Sequence, residues 1–301
     1  MNRRDCLYRL QALGLFTLNP GGVITNESML KRTIHSTGEK LPVVGLGTWQ
    51  TFDVSESEDD RKPLKEVLKA LLSKGGSVVD SSPMYGRSEE VVGDLSTELK
   101  INDKLFIATK VWTHGRDQGI RQMNDSFRLM KRDKIELMQI HNLMDWQTHL
   151  KTLRDWKEKG KVKYIGLTHY TSGAHDRLVS ILQSEKVDFI QINYNMLDRN
   201  AEKKLLPFAM ENGVSVLINQ PFESGGLFQK VKGKQLPSWA QELDCHSWAQ
   251  FFLKYILSNP AVTCAIPGTS KPHHMVDNMG AGLGKLPTEK QREKMVELIG
   301  D

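Results

Sequence analysis

From about residue 40 onward, short apolar runs alternate with longer stretches in which apolar residues recur every three or four positions. The short runs are residues 43–46, 77–79, 105–108, 136–140, 162–167, 189–192, 214–218 and 262–266. Between them, Leu64, Val67, Leu68, Leu71 and Leu72 repeat at helical spacing and end at Gly75-Gly76. Trp248, Phe251, Phe252, Tyr255 and Ile256 repeat the same spacing before Asn259-Pro260, and Ile120, Met123, Phe127 and Met130 form a looser version. Strands that are apolar on both faces predict a sheet covered on each side, hence parallel strands joined by crossover helices. Eight such units with no break in composition predict a closed (β/α)8 barrel, a TIM barrel, over residues 33–301. The preceding residues, 1–32, read as a leader. A doubly wound sheet would carry a glycine-rich turn behind its first strand. Here Val44-Gly45-Leu46-Gly47-Thr48-Trp49 has no third glycine at the right offset. Residues 33–42, with Gly38 in the middle, predict a small hairpin capping the barrel floor.

Composition adds exclusions. Of 301 residues, 39% are hydrophobic and 26% charged, which is globular and not disordered. The net charge of +5 is spread along the chain. Its densest basic stretch, residues 128–134, is interrupted by Asp133 at an expected helix end, which argues against a nucleic-acid surface. Cys6, Cys245 and Cys264 have neither disulfide-framework nor metal-ligand spacing. No run approaches the ~20 apolar residues of a membrane span. Asn2-Arg3-Arg4-Asp5-Cys6-Leu7 resembles a twin-arginine export signal. The apolar run behind it, residues 10–18, is short, contains Gln11, and has no small-x-small cleavage site. The expected location is cytoplasmic, with periplasmic export as the alternative.

In such barrels the chemistry gathers at the carboxyl ends of the strands. The second expected strand ends in Asp80, with Tyr85 and Gly86 shortly after; the third ends in Lys110 and the fourth in His141. Three ionisable groups closing successive strands would face one mouth. A tyrosine titrates near ~10 in water, and a neighbouring ammonium is expected to lower that value by stabilising the phenolate. A carboxylate behind the lysine holds it charged and aimed, while an imidazole hydrogen-bonds the substrate oxygen. Together they describe a general acid that protonates a carbonyl oxygen as hydride reaches its carbon.

Val79-Asp80-Ser81-Ser82-Pro83-Met84-Tyr85-Gly86, Ala108-Thr109-Lys110-Val111-Trp112 and Gln139-Ile140-His141 resemble, in order and spacing, the Asp, Tyr, Lys and His tetrad of the aldo-keto reductases. The similarity runs from about Thr33 to Asn278. It implies that Tyr85 is the general acid, Lys110 its partner, Asp80 the anchor of the lysine, and His141 the group that orients substrate.

The resemblance also implies a nicotinamide dinucleotide, NADP (NADPH) in preference to NAD. The family holds the nicotinamide amide with a Ser-Asn pair and a Gln; Thr168, His169 and Gln191 occupy those places, with His169 a departure. Asn219 stands where the family usually stacks an aromatic ring. Ser224, Gly226 and Leu227 belong to a loop able to approach a pyrophosphate. Thr269, Ser270 and Lys271 enter a helix whose free N–H groups favour a phosphate, and Gly268 and His274 stand where the family commonly has Lys and Arg. Asn278 matches the adenine contact. No metal is expected at His273-His274, which lack a third ligand.

Trp112, Trp146 and Trp239 are candidate walls of the substrate pocket. Only one helix-like segment, residues 288–299, follows Asn278, so an open site and a broad range of small-molecule aldehydes or ketones are expected. A second reading shares every residue discussed: a regulatory subunit that binds the dinucleotide as a redox sensor and turns over slowly. The oligomeric state is not legible from the sequence.

Overall fold

The computed structural model describes residues 28–300. The twin-arginine-like segment, the apolar run behind it and Cys6 lie outside those residues.

The hairpin is formed by β1 (Lys31–Thr33) and β2 (Lys40–Pro42), paired antiparallel, with Gly38 in the left-handed region at φ +79°. It begins two residues before the expected boundary, so Lys31 and Arg32, assigned above to the leader, belong to the folded body. The reason is local: the Arg32 guanidinium donates to the carbonyls of Asn259 (2.6 Å), Leu257 and Val262, which ties the strand to the far end of the chain.

Eight parallel strands follow: β3 (Leu46–Gly47), β4 (Val78–Asp80), β5 (Phe106–Val111), β6 (Ile135–Ile140), β7 (Val162–Thr168), β8 (Phe189–Asn193), β9 (Ser215–Asn219) and β10 (Val262–Ala265). Each pairs with its sequence neighbour. Parallel bridges Val44–Ala265 and Gly47–Gly268 join first to last and close the (β/α)8 barrel. The closure explains the two glycines of Val44-Gly45-Leu46-Gly47. A Cβ at Gly45 would meet Val78 Cβ at 2.8 Å, and one at Gly47 would meet Ile266 O at 2.8 Å. The first strand is therefore shorter and later than its apolar run suggested.

The helical layer comprises α1 (Glu58–Ser73), α2 (Ser88–Glu98), α3 (Arg116–Leu129), α4 (Trp146–Glu158), α5 (His175–Ser184), α6 (Leu205–Glu211), α7 (Gly226–Lys230), α8 (Trp248–Ser258), α9 (Pro272–Gly280) and α10 (Glu289–Gly300). Two apolar regions result. The larger lies between strands and helices; the smaller, including Ile34, Val78, Phe106, Tyr164, Phe189 and Leu217, fills the barrel near the strand starts. The hairpin seals this lower end: His35 N donates to Ser215 Oγ at 3.2 Å, and the Tyr164 hydroxyl donates to Glu39 at 2.6 Å.

The last helix packs on α8. Arg292 of α10 donates to Tyr255 O (3.1 Å) and Ser258 Oγ (2.8 Å), at the carboxyl end of α8, the end that leads into the start of β10. Its guanidinium also reaches Glu202 and, at 3.0 Å, the Tyr194 hydroxyl. Among the described residues no helix is long and apolar enough to cross a membrane.

Candidate active site

Asp80 is the last residue of β4, Lys110 the fifth of six in β5, and His141 follows β6 directly. The register pairs these strands side by side, so the three groups rise at one rim. Thr48 locks the turn after β4: its N–H and its hydroxyl both reach Asp80 O at 3.0 Å, and the hydroxyl also meets Ser81 Oγ at 2.9 Å. Tyr85 N donates to Ser82 O at 3.0 Å, and the chain then reverses at Gly86, φ +56°. A Cβ there would sit 2.3 Å from the Asp53 carboxylate, which accepts from Arg87 N at 2.9 Å. Only glycine permits this turn, and the turn brings Tyr85 back over the barrel.

Lys110 is fully buried. Its Nζ donates to Asp80 Oδ2 at 2.7 Å and to Ser81 O at 2.6 Å, and lies 4.8 Å from the centre of the Tyr85 ring. The Tyr85 and His141 rings meet edge to face, with centroids 5.8 Å apart. His141 Nδ1 is 2.9 Å from Ser82 Oγ. The four predicted groups therefore converge.

Burial would pull the Lys110 ammonium down, but Asp80 chiefly, and then Tyr85, more than offset it and hold its pKa above the ordinary value. Tyr85 corrects the sequence expectation. Burial raises its phenol and outweighs the opposing pull of Lys110, and Asp80 adds to the rise, so the pKa lies above the ordinary value and not below it. The reason is chiefly the depth of the ring, with Asp80, 2.7 Å from the ammonium, offsetting part of the pull of Lys110. The phenol stays protonated at neutral pH. His141 is pushed down to about 2 by burial, with Lys110 and His169 contributing, so its imidazole is neutral.

Two further residues belong to this network. Gln139 lies two residues before His141 on β6, hence on the same face of the strand, and its Nε2 donates to Asp80 Oδ1 at 3.2 Å. Ser82 is the other, through its contact with His141, and no sequence signal marks it as a partner of that ring.

Gln191, expected to face a nicotinamide, donates from Nε2 to Asp80 Oδ1 at 2.7 Å and accepts from Thr168 Oγ1 at 3.4 Å. His169 follows β7 and stacks on Tyr170, with ring centroids 5.6 Å apart. Asn219 ends β9; its Nδ2 reaches His169 O at 3.5 Å, while its Oδ1 is buried with no partner. Leu227 is a correction: its side chain lies in the core and its N–H already donates to Phe222 O at 3.3 Å, because the loop closes into α7 there. Ser224 and Gly226 remain at the surface of that loop.

Thr269 is buried, and its hydroxyl accepts from Lys271 N at 3.0 Å, shaping the entry to α9. Ser270, Lys271 and His274 are exposed at the start of that helix, and Asn278 is buried one turn beyond His274. Among the described residues no group of three or more His, Cys, Asp and Glu could hold a metal. The tryptophans separate. Trp112 stands at the mouth, its ring centroid 6.3 Å from that of His141. Trp146 opens α4 and lines an outer groove with Leu150, Arg154 and Glu185. Trp239 packs on Phe251 at 5.5 Å beneath the Lys294 ammonium, so it belongs to the seat of α10 and not to a substrate wall.

The rim is both strained and apolar. Gln50, Asn142, Leu143, Asp145, Gln220, Glu223 and Ser224 adopt positive φ in loops that follow β3, β6 and β9. Such backbone costs ~1–3 kcal/mol per residue and collects at ligand sites. Trp49, Met84, Trp112, Tyr170, Leu197 and Phe228 are exposed in segments that follow six of the barrel strands.

The chain is similar to known proteins. The sequence profile of the Aldo/keto reductase family matches residues 43–297. The aldo-keto reductase YhdN of Bacillus subtilis is 26% identical over 285 residues, covering 80% of this chain and 85% of that protein. The methylglyoxal reductase YeaE of Escherichia coli is 25% identical over 259 residues, covering 83% and 89%. An aldo-keto reductase from Klebsiella pneumoniae, solved in complex with NADPH, superposes with a TM-score of 0.74 at 23% identity, over 90% of this chain and 96% of that one. With the family profile matched along most of the barrel, this chain belongs to the aldo/keto reductase family.

Proposed function

We propose that this protein reduces aldehydes or ketones to alcohols with a reduced nicotinamide dinucleotide, preferring NADPH, and that Tyr85 is its proton donor. The observation that carries the reading is the buried ammonium of Lys110, held by Asp80 at 2.7 Å and lying 4.8 Å from the Tyr85 ring beside His141. Such a cluster of buried, mutually perturbed groups at a barrel rim is what proton transfer requires.

The residues present suit a dinucleotide. The orphaned Oδ1 of Asn219 is a buried acceptor that a carboxamide N–H would satisfy, beside Thr168 and His169 at the end of β7. Exposed Ser270, Lys271 and His274 at the start of α9 would meet a phosphate. When bound, the dinucleotide supplies hydride to the carbonyl carbon. Tyr85 gives its hydroxyl proton to the carbonyl oxygen, and Lys110 stabilises the phenolate left behind. His141, neutral, hydrogen-bonds the same oxygen and orients it. The preference for NADPH also draws on the Klebsiella relative and its bound dinucleotide. The open, apolar rim supports a broad range of carbonyl compounds.

The test is a panel of aldehydes and ketones, methylglyoxal included, assayed with NADPH and with NADH. Tyr85→Phe should abolish reduction, by roughly a hundredfold or more, while dinucleotide binding by fluorescence titration stays near wild type. A wild-type protein that binds the dinucleotide but turns over no carbonyl would sink the enzymatic reading. Turnover by Tyr85→Phe at the wild-type rate would reassign the acid.

A further inference from the structure

We propose that Ser82 is a positioning residue of the reductase site, whose hydroxyl donates to His141 Nδ1 and thereby commits the imidazole to carrying its proton on Nε2. The proposal rests on the function argued above for its catalytic meaning, but its geometry stands alone. Ser82 is fully buried at the turn between Asp80 and Tyr85. Its oxygen has two partners: Met84 N at 3.3 Å and His141 Nδ1 at 2.9 Å. The first is an N–H and uses a lone pair of the hydroxyl. A buried hydroxyl proton needs an acceptor, and among the described residues Nδ1 is the acceptor within reach. Nδ1 must then be unprotonated.

An imidazole with a bare Nδ1 is neutral and bears its hydrogen on Nε2. Burial and the nearby Lys110 oppose a second proton on the ring. Nε2 is the ring's other polar atom, and it has no protein partner among the described residues. Ser82 thus turns His141 into a fixed donor beside Tyr85, so a carbonyl oxygen at the mouth meets two hydrogen-bond donors. Were Nδ1 to hold the proton, Nε2 would present a lone pair to that oxygen and repel it.

The test is nitrogen NMR of the full-length protein with 15N-labelled histidine, His141 being assigned by the signals lost in His141→Gln. In the wild type, Nε2 should appear protonated and Nδ1 as a hydrogen-bonded bare nitrogen, unchanged between pH 5 and 8. In Ser82→Ala, with folding checked by circular dichroism and dinucleotide binding, Nδ1 should move to the position of a bare nitrogen without a donor. Its turnover number should fall roughly ten- to a hundredfold, the scale of losing a group that orients a working imidazole, with KM changed less. A proton on Nδ1 in the wild type overturns the proposal, and so does a Ser82→Ala protein with wild-type shifts or wild-type turnover. If the wild type reduces no carbonyl at all, the functional reading falls, while the nitrogen shifts still decide what Ser82 does.

Discussion

Gln191 Nε2 donates to Asp80 Oδ1 at 2.7 Å, joining the middle of β8 to the end of β4, two strands that are not neighbours in the barrel. Gln139 donates to the same oxygen at 3.2 Å, while Lys110 takes the other. The carboxylate is therefore held by two amides and an ammonium, all of them buried. Charge at this depth is tolerable because both carboxylate oxygens accept hydrogen bonds and the paired ammonium balances the charge.

Asp80→Asn leaves the shape and removes the charge. The Lys110 ammonium would then be buried with carbonyl, amide and phenol partners alone, so burial would push its pKa down. Breaking a buried pair by removing one member costs about 3–5 kcal/mol. We expect a lower denaturation midpoint in urea and a turnover reduced by roughly a hundredfold or more. A variant as stable and as active as the wild type would show that the pair does not hold the site.

The pH dependence of reduction follows from two shifts of opposite direction. His141 sits at about 2, so it stays neutral throughout the working range and contributes no inflection there. Tyr85 must be protonated to act, and its pKa lies above the ordinary phenol value. Activity is therefore present at neutral pH and lost only as pH rises through that raised value. A profile of kcat/KM from pH 5 to 10 should be flat through neutrality. A fall centred between pH 6 and 7 would contradict the assignment of His141.

How legible was all this in the sequence? The convergence of Asp80, Lys110 and His141 was, because each closes an apolar run, and strand ends in a barrel share one rim. The eight strands were as well. The pairing of Ser82 with His141 was not: it joins side chains from the segments that follow β4 and β6, and the residue type alone gives no sign of it. The bond of Gln191 to Asp80 was not legible either, because it depends on side-chain reach across the barrel. Leu227 and Trp239 were misjudged because nothing in a local segment tells a loop that faces solvent from one that turns its apolar side chain into the core. The raised phenol pKa was missed for a similar reason: the sequence names a lysine neighbour but does not give the depth of burial or the carboxylate that already occupies it.

Lys271 bears on the choice of dinucleotide. It is exposed at the start of α9, where its ammonium is free to meet a 2′-phosphate. Lys271→Ala should weaken NADPH by a few-fold, on the order of the 1 kcal/mol that an exposed ion pair supplies, and leave NADH nearly unchanged. The difference should shrink in high salt. Equal losses for both dinucleotides by fluorescence titration would place the phosphate elsewhere.

Glu89 makes the last case, and it concerns stability. This α2 carboxyl is buried between β5 and α3, where Thr109 donates to it, and burial raises its pKa despite bonds from Thr109 and Ser126. An acid whose folded pKa is raised binds its proton more tightly in the native state. Its stabilising share is complete below the unfolded value, near ~4.3, and declines as pH rises through the folded one. Glu89→Gln keeps an acceptor for Thr109 and never ionises. The variant should therefore match the wild type near pH 4 and melt at a higher temperature than the wild type at pH 8, with the gap widening between those limits. Paired melts across that range by circular dichroism measure it. A gap that is absent at pH 8, or that widens toward acid, would mean the carboxylate is stabilised in the fold as an anion.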